Sequence, residues 1–281
     1  MIRNIIAMGF ILISSILSAQ KPIEIKLWPD GAPNSNGMTE QKENGPLYVK
    51  EPVLYVYPAQ NPNGLAIVAC PGGGYYNLAT SHEGHDMASW FNSQGITYSV
   101  LIYRMPNGNC EVPLSDAHQA LRIMRNNSEK WGIKQLGIMG SSAGGHLAST
   151  AATHFDAETH PDFQILFYPV ITMDERYTHA GSRNGLLGNS PSEESINRFS
   201  NEKQVTKDTP QAFIMHSSND KTVPVENSIN YYMALTRNGV PASLHTYPIG
   251  GHGWGYNDSF KYKRQWTGEL EKWLREINTN K

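Results

Sequence analysis

Three short stretches of the chain are apolar at nearly every position, and each is followed by glycine-rich or polar residues. They are Leu65–Cys70, Gln135–Met139 and Phe163–Ile171. Continuous apolar runs of this length are typical of strands that are covered on both faces, as in a parallel sheet flanked by helices. The three stretches therefore predict the central strands of such a sheet.

Weaker strand and helix patterns alternate with these runs. Further strands are predicted at Ile23–Leu27, Pro52–Tyr57, Thr97–Tyr103, Ala212–His216 and Ser243–Ile249. Apolar spacing and stop residues predict helices at Glu83–Gln94, Pro113–Trp131, Val225–Arg237 and Phe260–Ile277. In the third of these helices the spacing places Ile229, Tyr232 and Met233 on one side. The alternation from residue 65 onward indicates βαβ units and an α/β fold with a mainly parallel, twisted sheet.

The composition is that of one ordinary globular domain. The chain has 281 residues, of which 39% are hydrophobic and 17% are charged, enough for one sizeable core. The polar segment Thr172–Lys207, rich in Gly, Asn, Ser and Pro, indicates an excursion over the sheet rather than a second domain. The formal net charge is −2 with no long run of one sign, so the charge pattern gives no case for a nucleic-acid partner.

Residues 1–20 have the pattern of a secretory signal peptide. Arg3 is followed by the largely apolar run Ile5–Leu17 and then by small residues. This run of about 13 residues is too short to cross a bilayer comfortably, which takes ~20 residues. We expect cleavage near Ala19 or Gln20, a single domain over residues 21–281 and a secreted or periplasmic product with no membrane partner. A retained N-terminal anchor is the alternative.

Only two cysteines are present, Cys70 and Cys110. Export permits a disulfide between them. Because Cys70 closes an apolar strand, a buried free thiol is the favoured interpretation of this residue.

A serine flanked by glycines lies at the turn between a predicted strand and a predicted helix. The sequence Gly140-Ser141-Ser142-Ala143-Gly144 follows Gln135–Met139 and precedes the small residues Gly145–Thr153. Strand, Gly-x-Ser-x-Gly turn and helix form a nucleophile elbow, in which glycines are needed because the turn is tight. Ser142 is then the candidate nucleophile and Ser141 its rival. The alternative is a glycine-rich helix start with an idle serine.

Two later loops supply a candidate base and a candidate acid. His252 follows the last predicted strand and is flanked by glycines, which let a loop bring its ring to the elbow. Asp220 follows the preceding strand, where its alternative role is to cap the helix that begins near Val225. Ligand sites in such sheets lie at the carboxyl ends of strands, so Ser142, Asp220 and His252 are expected to meet and act on a carbonyl carbon. Asp174 is the second candidate for the acid.

Backbone amides are expected to bind the oxyanion that such an attack creates. One donor is the N–H of Ala143, directly after the nucleophile and at the start of a helix. The second comes from Gly73 or Gly74, in the glycine run after Cys70, where no side chain obstructs an inward amide. An ordinary flexible turn is the alternative for these glycines.

Several other residues have weaker claims to the site. Four polar residues lie close together: His82, Glu83, His85 and Asp86. Their spacing fits no helical His-x-x-x-His pair, which favours a polar helix start near the cleft over a metal site. His146, one turn into the helix of the elbow, is interpreted as packed and hydrogen-bonded. Tyr75 and Tyr76 are tentative substrate contacts in a carbohydrate or aromatic pocket, or else residues at the edge of the core.

A set of short motifs spans about residues 65–255. They are Pro71-Gly72-Gly73-Gly74-Tyr75, Glu83-Gly84, Tyr103-Arg104, Pro113-Leu114-Ser115-Asp116-Ala117, Gly140 to Ala148, Tyr168-Pro169-Val170, Asp220 to Ser228 and Gly250-Gly251-His252-Gly253. Through this set the chain resembles the α/β-hydrolase esterases of polysaccharide-degrading bacteria, the group that contains acetyl xylan esterases and related feruloyl esterases. Many lipase-like relatives have a histidine where Pro71 stands, which favours this narrower group and leaves the second oxyanion donor open between Gly73 and Gly74.

The resemblance implies an α/β-hydrolase fold with helices on both faces of the sheet. It also implies a triad of Ser142, Asp220 and His252, with no metal or organic cofactor. The implied function is that of an exported serine esterase that removes acetyl groups from plant polysaccharide, above all xylan, with an acetylated oligo- or polysaccharide as substrate. The alternatives are a feruloyl or other carbohydrate esterase, a small peptidase, or a non-catalytic polysaccharide-binding homologue. Peptidase relatives usually carry an extra β-propeller, for which this sequence has no room.

Overall fold

The structure, a computed structural model, describes residues 21–279, so the predicted signal peptide lies outside the described residues. Its strands are β1 Ile23–Lys26, β2 Val53–Tyr57, β3 Leu65–Cys70, β4 Thr97–Ile102, β5 Gln135–Ser141, β6 Phe163–Phe167, β7 Gln211–Ser217 and β8 Ala242–Tyr247. Its α-helices are α1 Ala88–Ser93, α2 Glu111–Asn126, α3 Ser128–Trp131, α4 Ser142–Ala151, α5 Ala180–Leu187, α6 Glu193–Arg198, α7 Glu226–Arg237 and α8 Lys263–Thr279. Two 3₁₀ turns cover His85–Met87 and Asn201–Lys203. Within residues 21–279, no helix has both the length and the apolar character needed to cross a membrane.

The eight strands form one sheet in the order β1-β2-β4-β3-β5-β6-β7-β8. The β1–β2 and β2–β4 pairs are antiparallel, and all other neighbouring pairs are parallel. Cys70 pairs with Gly140 and Ser141 pairs with Phe167, which brings the carboxyl ends of β3, β5 and β6 to one edge. The predicted mainly parallel α/β sheet is confirmed, and the glycine-flanked serine lies at the edge where ligands bind in such folds.

The central strands are apolar at every position because they separate two cores. In β3 the alternating side chains face different cores: Ala66, Val68 and Cys70 on one side, Leu65, Ile67 and Ala69 on the other. Helices α2, α4 and α7 cover the first face, with Leu121, Leu147 and Tyr231 in its core. Helices α1 and α8 cover the second face through Phe91 and Trp266. Helices therefore lie on both faces of the sheet, as the resemblance implied.

Three predicted elements differ from the observed ones for local reasons. The strand predicted at Phe163–Ile171 ends before Tyr168, whose φ of 35° is incompatible with extended backbone. The helix predicted at Pro113–Trp131 is two helices, because Asn127 has φ −106° and ψ 16°. The helix predicted at Glu83–Gln94 begins only at Ala88, because Gly84 has a non-helical φ of −146° and ψ of −100° and the chain first forms the 3₁₀ turn His85–Met87. The other predicted elements match to within three residues at each end.

Helix α7 exposes two of the three apolar residues that the spacing places on one side of it. Ile229 and Met233 are each 40% exposed, whereas Tyr231 is buried in the core. The orientation follows from two buried polar residues. Asn227 accepts a hydrogen bond from the Ile171 N–H at 2.9 Å, and the Ser228 hydroxyl lies 2.8 Å from His216 Nδ1. Polar pairing inside the protein therefore decides how this helix is rotated.

The polar segment 172–207 runs over the sheet and contains two short helices, as well as a 3₁₀ turn. The His179 side chain caps α5 by accepting from the Ser182 N–H at 3.2 Å, and Ser192 caps α6 by accepting from the Ser195 N–H at 3.1 Å. These helices have too few apolar residues to be predicted from hydrophobic spacing. The segment brings His179 above the edge of the sheet, where it lines the cavity described below.

Both cysteines are free thiols, with Cys70 buried and Cys110 half-buried. Burial raises the pKa of the Cys70 thiol well above its ordinary value. The interpretation of Cys70 as a buried free thiol is confirmed.

Candidate active site

Ser142 stands at the junction of β5 and α4 in a left-handed conformation, with φ 54°. A Cβ on Gly140 would lie 2.1 Å from the Gly144 carbonyl oxygen, and a Cβ on Gly144 would lie 2.0 Å from the Cys70 oxygen. Only glycine fits these two positions, because any side chain would displace packed backbone. The strained serine between them is the geometry of a nucleophile elbow, as the sequence predicted.

The three predicted triad side chains meet. His252 Nε2 lies 2.8 Å from Ser142 Oγ, and His252 Nδ1 lies 2.6 Å from Asp220 Oδ2. Since a carboxylate only accepts hydrogen bonds, Nδ1 carries a proton and donates it. In the neutral ring Nε2 is then an acceptor and receives the hydrogen bond from the Ser142 hydroxyl. Ser142 thus donates a hydrogen bond to His252, and His252 donates one to Asp220.

Four donors hold Asp220 in place. Its Oδ1 accepts hydrogen bonds from the N–H groups of Thr222 at 2.8 Å and Val223 at 2.9 Å, and its Oδ2 faces two histidines. Burial alone would raise the pKa of Asp220, but the hydrogen bonds from His216 and His252 outweigh it and hold the pKa below its ordinary value. Asp220 therefore stays a carboxylate. Helix α7 begins at Glu226 with Val225 as its N-cap residue, so Asp220 does not cap it.

His216 is a member of this cluster that the sequence reasoning missed. It is fully buried at the end of β7, with Nε2 3.3 Å from Asp220 Oδ2 and 3.0 Å from the Val223 carbonyl oxygen. Both neighbours are acceptors, so Nε2 carries a proton. Its position at a strand end four residues before the acid was the available signal.

The loop that carries His252 is tied to the loop that carries Asp220. The Gly251 N–H donates to Asn219 Oδ1 at 2.9 Å, and Trp254 Nε1 donates to Ser217 Oγ at 3.0 Å. Gly250 has φ 150°, and a Cβ there would lie 2.6 Å from the Ser217 hydroxyl. The glycines around the histidine thus permit a close approach between the two loops, as predicted.

The glycine run after β3 forms a turn beside Ser142. Gly73 has φ 136° and Gly74 has φ 69°, and a Cβ on Gly73 would lie 2.0 Å from the Asn77 carbonyl oxygen. Within residues 21–279 neither glycine amide donates a hydrogen bond. The Ala143 amide belongs to the first turn of α4, where N–H groups lack intrahelical acceptors. The amides of Gly73, Gly74 and Ala143 are the candidate oxyanion donors that the sequence indicates.

A cavity of about 470 Å³ opens above these groups. It is lined by Gly73, Gly74, Tyr76, Ala79, His82, Glu83, Ser142, His179, Gly181, Thr222, His252 and Gly253. His179 comes from the excursion. Its Nδ1 accepts from Ser182, burial lowers its pKa, and its neutral ring therefore carries the proton on Nε2. The sequence reasoning missed this residue because the excursion gave no structural signal.

The two tyrosines predicted as tentative substrate contacts, Tyr75 and Tyr76, lie in different environments. Tyr76 is 50% exposed and lines the cavity. Tyr75 is 1% exposed, and its hydroxyl lies 2.9 Å from His146 Nδ1, so the expectation that Tyr75 contacts substrate is wrong. Its positive φ of 57° turns the side chain into the core.

His146 is packed and hydrogen-bonded, as predicted. Its Nε2 donates to the Phe199 carbonyl oxygen at 2.8 Å and its Nδ1 faces the Tyr75 hydroxyl. Burial lowers its pKa to about 4, which keeps it neutral. The rival nucleophile Ser141 is fully buried, and the rival acid Asp174 is bound to Arg176 at 2.6 Å.

The polar group from His82 to Asp86 divides between the cavity and the surface of the sheet. His82 and Glu83 line the cavity, while His85 Nδ1 lies 2.8 Å from the Tyr57 hydroxyl. Within the described residues, no group of three or more His, Cys, Asp or Glu side chains is arranged to hold a metal ion.

The fold and the arrangement of a serine elbow, a histidine and an aspartate define an α/β hydrolase. The model of the prolyl oligopeptidase family matches residues 94–280, more than half of the chain. The chain therefore belongs to the prolyl oligopeptidase family of α/β hydrolases.

Named relatives are esterases or proteins linked to xylan. The chain is 43% identical over 224 residues to an acetylxylan esterase of Xylanibacter ruminicola, a match covering 78% of this chain and 47% of that protein. It is 40% identical over 204 residues to endo-1,4-beta-xylanase B of Butyrivibrio fibrisolvens, covering 66% and 32%. This chain thus spans about half or less of the length of these curated relatives.

A solved structure is similar over nearly its whole length. The acetyl ester-xyloside bifunctional hydrolase of Caldicellulosiruptor lactoaceticus shares 37% identity with a TM-score of 0.80, covering 92% of this chain and 97% of that one. The resemblance to acetyl xylan esterase-like hydrolases is confirmed, and these similarities support the class of carboxylic ester hydrolases.

Proposed function

We propose that this protein is a serine esterase that removes acetyl groups from plant polysaccharide, with acetylated xylan as its principal substrate. The observation that carries the proposal is the hydrogen-bonded path from Ser142 through His252 to Asp220, beside a cavity lined by Gly73 and Gly74, whose amides donate no hydrogen bond within the described residues. This combination supplies a nucleophile, a base, an orienting acid and oxyanion donors in one place.

In the proposed acylation step, His252 Nε2 takes the proton of Ser142 as the hydroxyl oxygen attacks the ester carbonyl. Asp220 holds the ring with its proton on Nδ1 and stabilises the imidazolium that forms. The Ala143 amide and one of the Gly73 and Gly74 amides bind the oxyanion. His252 then returns its proton to the departing sugar oxygen, and an acetyl-enzyme remains on Ser142.

Deacylation reverses these roles with water as the nucleophile. His252 takes a proton from the water, which attacks the acetyl carbonyl, and the oxyanion occupies the same donors. Collapse of the intermediate breaks the bond to Ser142 Oγ, which recovers its proton from His252, and acetate leaves.

The choice of xylan rests on similarity. The relatives named above include an acetylxylan esterase at 43% identity and an acetyl ester-xyloside hydrolase at 37% identity. Tyr76 and His179 line the cavity and provide an aromatic face and a hydrogen-bond donor, which suit the apolar C–H face and the hydroxyl groups of a sugar.

We also propose that residues 1–20 are a signal peptide, that residues 21–281 form the single catalytic domain, and that the mature protein is secreted or periplasmic. The charged start, short apolar run and small residues in this segment support the proposal. N-terminal sequencing of the protein from an exporting host should give a chain starting near residue 20. An intact, membrane-bound N-terminus would support the anchor instead.

The experiment that tests the function is a panel of acetylated and feruloylated xylo-oligosaccharides and acetylated peptides, with product analysis. We expect release of acetate from the acetylated oligosaccharides and a loss of at least ~10³-fold in kcat/KM on Ser142→Ala. Circular dichroism of the variant should match the wild type. Faster release of ferulate would identify a feruloyl esterase, and faster cleavage of peptides a peptidase. No turnover of any substrate would leave a non-catalytic binding protein.

A further inference from the structure

We infer that Glu83 and Tyr168 are positioning residues: the buried Glu83 carboxylate, through Tyr168, ties the turn that presents Gly73 and Gly74 to the loop that presents His252. This inference rests on the proposed function. Neither residue belongs to the triad, and the two come from distant parts of the chain. Their hydrogen bonds connect the turn of Gly73 and Gly74 to the loop of His252.

The Glu83 carboxylate serves two donors. Its side chain lies beside the cavity but is only 3% exposed. Its Oε2 accepts the Gly72 N–H at 2.8 Å, and its Oε1 accepts the Tyr168 hydroxyl at 2.7 Å. Both oxygens are therefore occupied by protein groups, which fits a role in holding the site rather than in binding substrate.

Tyr168 continues the connection to the base. It is fully buried, and its hydroxyl accepts the Gly255 N–H at 2.8 Å while it donates to Glu83. Its ring meets the His252 ring edge to face, with centroids 4.8 Å apart. The φ of 35° at Tyr168 is rare for a bulky residue, so the surrounding contacts hold it in this conformation.

The position of Gly72 shows why its amide matters. A Cβ on Gly72 would lie 2.9 Å from the Ser142 Cβ, so this residue passes directly beside the nucleophile. Gly73 follows it immediately. A carboxylate that fixes the Gly72 N–H therefore fixes the origin of the turn whose next two amides are the proposed oxyanion donors.

A carboxylate suits this position better than an amide does. The Gly72 N–H and the Tyr168 hydroxyl both donate toward residue 83, which must accept twice, on two different oxygens. Glutamine offers one acceptor oxygen and one NH₂ donor. Glu83→Gln thus keeps the shape but can accept from only one of the two donors, so the Gly72 N–H or the Tyr168 hydroxyl proton loses its acceptor. Tyr168→Phe removes one donor from the same chain.

The test is a double-mutant cycle on kcat for an acetyl ester, with Glu83→Gln, Tyr168→Phe and the double variant. We expect each single change to lower kcat by about 10- to 100-fold with KM within about threefold, because oxyanion donors act in the transition state. The double variant should be no slower than the slower single variant, since both changes break one connection.

Tyr98→Phe is the matched control. The Tyr98 hydroxyl is also buried and donates to the carbonyl oxygen of Gly84, the residue after Glu83, at 3.0 Å. Within residues 21–279 it makes no hydrogen bond to the turn of Gly73 and Gly74 or to the loop of His252. We expect a similar change in melting temperature with kcat near the wild-type value. Equal losses of kcat in Tyr98→Phe and Tyr168→Phe, or fully multiplicative losses in the double variant, would overturn the inference. Should Glu83→Gln fail to fold, Tyr168→Phe against Tyr98→Phe still decides it.

Failure of the proposed function would look different. Wild-type protein that hydrolyses acetyl esters, with Glu83→Gln and Tyr168→Phe at the level of the control, contradicts only the inference. Wild-type protein without turnover contradicts the esterase proposal, and the rate at which a phosphonate ester labels Ser142 then replaces kcat in the cycle. Absence of both turnover and labelling would remove both.

Discussion

The nucleophile and the base of this site are held in place by different physical means. Ser142 is set by backbone contact, because Gly140 and Gly144 pack against main-chain atoms with no room for a Cβ. His252 is set by hydrogen bonds and ring contacts from remote residues, including Asp220 at 2.6 Å and the ring of Tyr168. We call the elbow from Gly140 to Gly144 the steric half of the site, and the loops that carry Asp220 and His252, with Tyr168, the electrostatic half.

The two halves of the site are therefore sensitive to different kinds of substitution. A steric arrangement tolerates no added atom and fails with the fold, because the interior is close-packed. A hydrogen-bonded arrangement fails when a donor meets a donor, and it can lose activity while the fold persists. Changes of the elbow glycines should therefore act on stability, and changes around the base should act on catalysis.

The largest loss of activity without loss of stability is expected from Asp220→Asn. The asparagine oxygen can still accept the Thr222 and Val223 amides, but its NH₂ then faces His252 Nδ1 and favours the ring tautomer with the proton on Nε2. That tautomer cannot accept the Ser142 proton, so kcat should fall by about 10³- to 10⁴-fold with little change in melting temperature. Steady-state kinetics on an acetyl ester measure this loss.

Asp174→Asn is its matched control. Asp174 also follows a strand, but it is bound to Arg176 and does not line the cavity. We expect kcat within about twofold of wild type, since the change removes a surface ion pair outside the cavity and the asparagine oxygen can still accept the Arg176 N–H. A comparable loss in both variants would contradict the assignment of Asp220 as the acid.

The next effect concerns the steric half. A Cβ in Gly144→Ala would lie 2.0 Å from the Cys70 oxygen, so β3 and α4 must move apart. We expect the free energy of unfolding to fall by about 3 kcal/mol or more, measured by denaturant titration. Gly268→Ala in α8 has open space around its Cβ and should instead stabilise by about 0.5–1 kcal/mol. A fully stable Gly144→Ala protein would break the comparison.

The smallest expected effect is the change in the free energy of unfolding as the pH falls. Burial lowers the pKa of His146, behind the elbow, to about 4, so the unfolded chain binds its proton first as pH falls below ~6.5. The stability from its neutral state is complete above that pH and should drop by about 2 kcal/mol at pH 5. The pKa of Asp220 is below its ordinary value, so its contribution is lost only in stronger acid.

Denaturant titrations at pH 7 and pH 5 test this response. His146→Gln should reduce the pH dependence of the unfolding free energy, because the group that titrates in the unfolded chain is gone. His118, whose pKa burial also lowers to about 4, should retain part of the dependence. Identical slopes in wild type and His146→Gln would show that the neutral state of His146 carries no stability.

The steric half of the site could be predicted from sequence because its determinants are local. The Gly-x-Ser-x-Gly pattern lies between a strand run and a helix run, and the glycines themselves report the close packing. The strand ends that position Asp220 and His252 could be predicted for the same reason. The central strands were equally clear, since their two buried faces leave an uninterrupted apolar run.

The electrostatic half could not be fully predicted, because its partners are distant in the chain. Glu83 meets Tyr168 across 85 positions, and no local pattern marks that pair. His216 contributes through a fully buried contact with Asp220. Tyr75 was misplaced because a positive φ turns it inward, and the rotation of α7 follows from buried polar pairs rather than from hydrophobic spacing.

The most direct test of the central claim is mass spectrometry after reaction with an organophosphonate ester, which bonds covalently to an activated serine. We expect one label per chain, on Ser142, with labelling abolished in Ser142→Ala and slowed by at least ~10³-fold in His252→Ala. An unlabelled wild-type chain, a label on Ser141, or equal labelling rates with and without the His252 ring would contradict it.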